Sequence, residues 1–204
     1  MKLINYGKYY DSILYPITHP ILCFKNYRLT RKYPWLYPRS RWDDSKPKHY
    51  HYQWTDLDCM PGGWRKCFGE MMMKDLLIAC KTDDVNPKDL RIVDLKEKWG
   101  ALRITLNMYT PNIDRVVNAY EHVSEHICYR CGKLDVPMTN FGWVLPLCRD
   151  CSDDVEKYDK YISELEDEDF TIPRYYTVHT FSENCDQYVS SDLTWITDRL
   201  RGVK

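Results

Sequence analysis

Long apolar runs are missing from this chain. A membrane-spanning helix needs about eighteen or more such residues in succession, so no spanning segment is expected. The opening Met1-Lys2-Leu3-Ile4-Asn5-Tyr6-Gly7-Lys8 lacks the apolar core and small-residue cleavage site of a secretory signal, and a cytoplasmic location is expected. Enzyme signatures are equally scarce. There is no Walker loop, no G-x-G-x-x-G and no G-x-S-x-G, and the carboxylates of Asp83, Asp84, Asp94 and Glu97 show no metal-nuclease spacing. No internal repeat stands out beyond a pair of cysteine motifs. Net charge is also nearly absent, at −1 with a pI near 6.6, which argues against a dedicated nucleic-acid protein.

Cysteine, by contrast, is plentiful, at nine in 204 residues. Cys128, Cys131, Cys148 and Cys151 form C-x2-C-x16-C-x2-C. Two intervening residues let both thiolates of a knuckle face one metal, and the sixteen between knuckles suffice for a short hairpin that closes a tetrahedron. Four soft ligands favour a single structural Zn2+ and leave no open position for water or substrate. The remaining cysteines, Cys23, Cys59, Cys67, Cys80 and Cys185, are odd in number and without framework spacing, as expected of reduced thiols.

The length suits one domain with a small metal-stapled appendage. Five prolines, Pro16, Pro20, Pro34, Pro38 and Pro47, predict an extended N-terminal arm of turns and irregular segments. A helix is predicted from Trp64 to about Lys81, with an apolar stripe of Trp64, Cys67, Phe68, Met71, Met72, Leu76 and Ala79. Period-two alternation over residues 92–106 predicts two antiparallel strands meeting near Gly100. Pro111 opens a second helix with Ile113, Val116, Val117, Tyr120 and Val123 inward. A third helix is expected from Asp153 to Leu165, capped by Ser152 or Asp153, then a strand at Thr177–Phe181 and a short helix from Ser191 to Leu200. The fold class is α+β: a small antiparallel sheet packed by two or three helices, with a four-cysteine zinc ribbon. Residues 1–127 are assigned to the core and its arm, 128–151 to the ribbon, and 152–204 to a C-terminal helix and tail packing on the core.

Charge is segregated. Residues 1–50 carry ten Lys/Arg against three Asp/Glu, and residues 149–169 three against ten. Either the ends face each other in the fold or one meets a charged partner. Arg28, Arg31, Lys32, Arg39 and Arg41 interleave with aromatics, the mixture that holds single-stranded nucleic acid. Lys96 and Lys98 share a strand face and Arg103 returns beside them, a candidate anion or acidic-partner surface whose alternative is a Glu97–Arg103 ion pair. Glu164, Glu166 and Asp167 form an acidic candidate contact. His122-Val123-Ser124-Glu125-His126 matches the H-x-x-E-H metalloprotease pattern, but it abuts the closed cysteine site and has no third ligand at a suitable spacing; exposed helix residues are the better reading.

Lys32-Tyr33-Pro34-Trp35-Leu36-Tyr37-Pro38-Arg39, Met60-Pro61-Gly62-Gly63-Trp64-Arg65-Lys66-Cys67-Phe68-Gly69, Lys96-Glu97-Lys98-Trp99-Gly100-Ala101-Leu102-Arg103, Ser124-Glu125 and the Cys-x2-Cys-Gly knuckle occur in that order. Together they resemble a family of uncharacterised bacteriophage and prophage proteins, with MPxGWxxxFG, KEKxGxLR and a cysteine ribbon. The resemblance covers residues 32–151 and carries no activity. It implies a phage or mobile-element origin and action inside a bacterium. With the closed cysteine site and no enzyme signature, the expected function is that of a non-catalytic accessory protein acting through protein–protein interaction. The expected partner is a host or phage protein, including host antiviral defence factors. A nucleic-acid-binding regulator using the ribbon and the basic arm is the alternative.

Overall fold

The computed structural model describes residues 15–40, 42–165, 169–182 and 185–202. Within them, five helices longer than one turn and three two-stranded antiparallel sheets form an α+β fold, the class that the sequence predicts.

Over its first described residues the N-terminal arm is helical and not extended. Tyr15–Lys32 is a continuous helix, α1, despite Pro16 and Pro20. Pro16 lies in the first turn, where a backbone N–H has no intrahelical partner to lose, so only Pro20 forfeits a hydrogen bond. Pro34 comes after the helix and opens a 3-10 turn, Pro34–Leu36, whose Trp35 and Leu36 are buried beside Tyr33. The tyrosines that follow pack mainly on one another. Tyr37, Tyr50, Tyr52 and Trp54 meet edge to face or tilted, with ring centroids 4.9–6.2 Å apart.

The stripe at Trp64 folds as predicted. A single turn, Gly62–Trp64, runs through a π turn, Arg65–Gly69, into α2, Glu70–Thr82. Trp64, Phe68, Met72, Met73, Leu76 and Ala79 are buried in the principal core, so the methionines fill space. At its C-terminal end, Asp83 accepts from the backbone N–H of Asn112 at 3.0 Å and from the Thr110 hydroxyl and the Asn112 side-chain amide. One carboxylate thus ties the end of α2 to the start of α3, Pro111–Ser124. Those donors outweigh slight desolvation and hold Asp83 below the usual carboxylate range.

Strands β1 (Ile92–Lys98) and β2 (Ala101–Leu106) pair antiparallel. They are joined by Trp99-Gly100, both at positive φ (56° and 79°), as a two-residue hairpin turn demands. Trp99 therefore sits in the turn and not in a strand, and stands 73% exposed. The inward positions of α3, Ile113, Val116, Val117, Tyr120 and Val123, are all buried. Beyond the cysteine region, α4 (Val155–Glu164) is capped by Asp154, one residue later than predicted, which accepts from Lys157 N–H. Strands β5 (Tyr175–Ser182) and β6 (Cys185–Asp192) form the last hairpin, and α5 (Thr194–Arg201) ends the described chain.

A buried polar network fixes α5. The Arg199 guanidinium donates to both carboxylate oxygens of Asp75 at 2.9 and 2.5 Å, and the buried Tyr120 hydroxyl donates to the same carboxylate at 2.5 Å. Asp75 is 6% exposed, so its charge depends on these donors.

Arg199→Ala should cost about 2 kcal/mol in urea unfolding, because it strips a charge-assisted bidentate pair from a buried carboxylate. Asp83→Ala should lower the thermal midpoint at pH 7. Since the folded-state pKa of Asp83 is depressed, its contribution is present above the unfolded-state value and vanishes as pH falls through the folded one. Melting curves of variant and parent should therefore converge in acid; a gap that persists to about pH 2 would contradict the assignment.

Candidate metal centre

The cysteine region is built on a short hairpin, β3 (Met138–Asn140) and β4 (Val144–Pro146). The first knuckle precedes it. Gly132 N–H donates to the Cys128 carbonyl at 3.0 Å, Cys128 N–H to the Lys133 carbonyl at 2.8 Å, and Gly132 sits at φ +85°, a conformation glycine adopts without strain. The second knuckle follows as a 3-10 turn, Arg149–Cys151, closed by Cys151 N–H on the Cys148 carbonyl at 3.0 Å.

All four Sγ atoms of Cys128, Cys131, Cys148 and Cys151 lie within 4.8 Å of one another, and Cys131 and Cys148 are 3.6 Å apart. A tetrahedron with metal–sulfur bonds of about 2.3 Å requires sulfurs about 3.8 Å apart, so the cluster fits one four-coordinate ion. Cys128 and Cys148 are buried; Cys131 and Cys151 are less so. Burial pushes the Cys128 thiol up, but the amides of Cys131, Cys148 and Arg130 outweigh it and hold it near 7. Burial, and further Cys131, push the neighbouring Cys67 up to about 11; its sulfur is not among the four that cluster.

The core touches this site through Gly63. A Cβ added there would meet the Cys128 carbonyl at 2.3 Å, Gly132 N at 2.7 Å and the Tyr129 carbonyl at 2.7 Å. Gly63 N–H donates to the Tyr129 carbonyl at 3.0 Å, and the Trp64 indole N–H to the Ile127 carbonyl at 2.7 Å. The GGW segment is therefore a backbone docking element for the first knuckle. Gly100 makes a second close approach, to the Met138 side chain and the Val144 carbonyl.

The acidic segment neutralises the ribbon. Arg130 pairs with Asp153, Arg149 with Asp159 and Lys133 with Asp150, at 2.6, 2.7 and 3.8 Å. Among the described residues, the ion pairs found for 149–169 lie within the C-terminal half; much of the basic end, residues 1–14 and 41, lies outside the described residues. Glu164 pairs with Lys160 on its own helix at 3.9 Å. Glu166 and Asp167 lie outside the described residues, as does Arg41.

The other candidates separate. His122 packs against Tyr176 with centroids 4.4 Å apart, while His126 Nδ1 lies 3.2 Å from the Phe170 carbonyl, so the H-x-x-E-H histidines serve different neighbours. Lys96 faces Arg103 across the hairpin, but Lys96 pairs with Asp94 and Arg103 with Glu121. The Glu97–Arg103 pair does not form; Glu97 instead accepts from Gly100 N–H at 2.7 Å and locks the turn. Lys98 is exposed at the hairpin tip opposite Ala101. Arg28, Arg31 and Lys32 lie on the last turns of α1, where Lys32 pairs with Glu70 at 3.4 Å.

Arg31 and Arg39 reach a common cleft, in which they are joined by Lys46, Lys88 and Arg91. Sequence reasoning missed those three because they come from separate loops and no periodicity links them. No helix among the described residues is long and apolar enough to cross a membrane.

Protein-family models, curated proteins and solved structures were all compared with the chain. It matches none of them. Of the motifs behind the phage and prophage resemblance, the structure supports the four-cysteine cluster.

Gly63→Ala should weaken metal binding about tenfold or more, although Gly63 ligates nothing, because its Cβ would enter the knuckle backbone. Gly62→Ala, with no atom within 4 Å of the new Cβ, should leave affinity unchanged in a chelator-competition titration.

Proposed function

We propose that this chain is a non-catalytic binding protein whose single structural zinc ion holds a protein-interaction surface in place. Cys128, Cys131, Cys148 and Cys151 supply four thiolates, and tetrahedral zinc so ligated has no position left for a substrate. The observation that carries the reading is the junction of two hairpin tips. Gly100 packs on Met138 and Val144, and their sequence neighbours Trp99 and Trp143 are 73% and 74% exposed. Two indoles left in water at one junction have the makings of an interface anchor, since tryptophan is enriched among the residues that dominate binding energy. Zinc would fix the ribbon, and the ribbon would fix Trp143 beside the β1–β2 tip.

The motif resemblance supports a partner in the cytoplasm of a bacterial host, with an antiviral defence factor as the expected target. Nucleic-acid binding by the ribbon is disfavoured, because Arg130, Lys133 and Arg149 are each matched by an aspartate.

Tagged protein should capture a stoichiometric partner from nuclease-treated bacterial extract at moderate salt. Trp99→Ala/Trp143→Ala should reduce that capture about tenfold or more with metal content unchanged. Capture that is absent, or indifferent to both substitutions, would overturn the reading.

A further inference from the structure

A second surface lies away from the metal. Between the end of α1, residues 37–40 and 42–46, and the start of β1 is a cleft of about 780 Å³. This is within the range of small-ligand sites, typically about 300–1,000 Å³. Five cations line it, Arg31, Arg39, Lys46, Lys88 and Arg91, against Asp43 and Asp44, a local surplus of three positive charges in a chain whose net charge is −1. Asp44 draws Arg39 and Arg91 together, accepting from Arg39 at 2.9 Å and pairing with Arg91 from the opposite wall. Among the described residues no carboxylate pairs with Arg31, Lys46 or Lys88. Asp43 is occupied by Ser45, whose backbone N–H and hydroxyl donate to it at 3.1 and 2.8 Å.

At the rim, Trp42 is 98% exposed. An indole wholly in water gains nothing from the fold, while its face is available for a flat ring. Lys46 also lies over the Tyr37 ring, 5.6 Å from its centroid. Cations without a carboxylate partner beside a free aromatic face match a phosphate joined to a base: guanidinium and ammonium groups take the phosphate, and the indole stacks on the base. An acidic peptide would satisfy the cations and leave the indole unused.

We propose that this cleft binds a nucleotide unit with an unpaired base, as a free mononucleotide or within a single strand, with Arg31, Lys46 and Lys88 on phosphate and Trp42 on the base. The site is independent of the zinc ribbon and of the Trp99/Trp143 junction.

Full-length, metal-loaded protein titrated with fluorescently labelled oligothymidylate tests this, with adenosine monophosphate and a polyglutamate peptide in parallel. If the strand is the ligand, log K should fall with log salt at a slope of about −2, as three phosphate contacts require. Trp42→Ala should weaken binding about tenfold. Arg31→Glu/Lys88→Glu should abolish it, with metal content and melting temperature retained, since both side chains are exposed and unpaired. Lys96→Glu/Lys98→Glu, on the other basic face, should leave it unchanged. Saturable binding of adenosine monophosphate with the same sensitivities would assign the free nucleotide. Binding of neither nucleotide probe, binding indifferent to the cleft substitutions, or polyglutamate binding as tight as that of the oligonucleotide would overturn the proposal.

Discussion

The approach of one glycine to a strip of backbone organises much of this molecule. Gly63 lies so close to the Cys128 carbonyl and to Gly132 that no side chain fits between them, and its amide is bonded to Tyr129. Trp64, next in sequence, is fully buried and anchors the same contact through the Ile127 carbonyl. The segment that starts the main helical run is thus the segment on which the metal knuckle rests. A small ribbon has little core of its own, here Cys128, Val136, Leu147 and Cys148 with their neighbours. It borrows rigidity from the larger one by this contact, and its four cysteines are placed to hold one ion, whose binding energy would be folding energy.

The parts visible in the sequence are those governed by short-range rules. Cysteine spacing defines a knuckle because two residues set the reach between thiolates. The stripes of Trp64–Ala79 and Ile113–Val123 are legible because a 3.6-residue period marks one buried face. What escaped the sequence depends on position or on distant partners. Prolines deter a helix in its interior but not in its first turn, so counting them over sixty residues conceals α1. Alternation places Trp99 inward only if the strand continues through it; a two-residue turn instead takes it out of the sheet. Glu97 and Arg103 are near enough in sequence to suggest a pair, yet the turn amide offers Glu97 a closer donor and α3 brings Glu121 to Arg103. Cys185–Asp192 lacks an apolar alternation, and its strand form is set by pairing with β5.

The charge segregation divides into two physical cases. In the C-terminal half, acids and ribbon cations are interleaved in space, Asp150, Asp153 and Asp159 each meeting a basic side chain of the cysteine region. These pairs are solvent-exposed and contribute little stability individually; their effect is to leave the ribbon surface without a positive field. In the N-terminal half the compensation is incomplete. Asp44 is shared between two arginines, and the cations around it outnumber the acids. A net charge of −1 therefore conceals a cleft with a surplus of cations and a cysteine region whose cations are matched by acids.

Strand β1 connects the two surfaces. It begins beside Arg91 and Ile92 at the cleft and ends at Lys98, next to the exposed Trp99. Seven extended residues span about 23 Å, so a ligand at one end does not obstruct a partner at the other. The register shift between Ile92 and Asp94 sits at the cleft end, while the far end is clamped by the Glu97–Gly100 bond and by the ribbon. The approach of Gly100 to Met138 and Val144 joins the cysteine region to that far end. The cleft is lined by α1, its following loop and residues 88–93, none of which belongs to the ribbon. The four-cysteine region and the cationic cleft thus touch opposite ends of one strand.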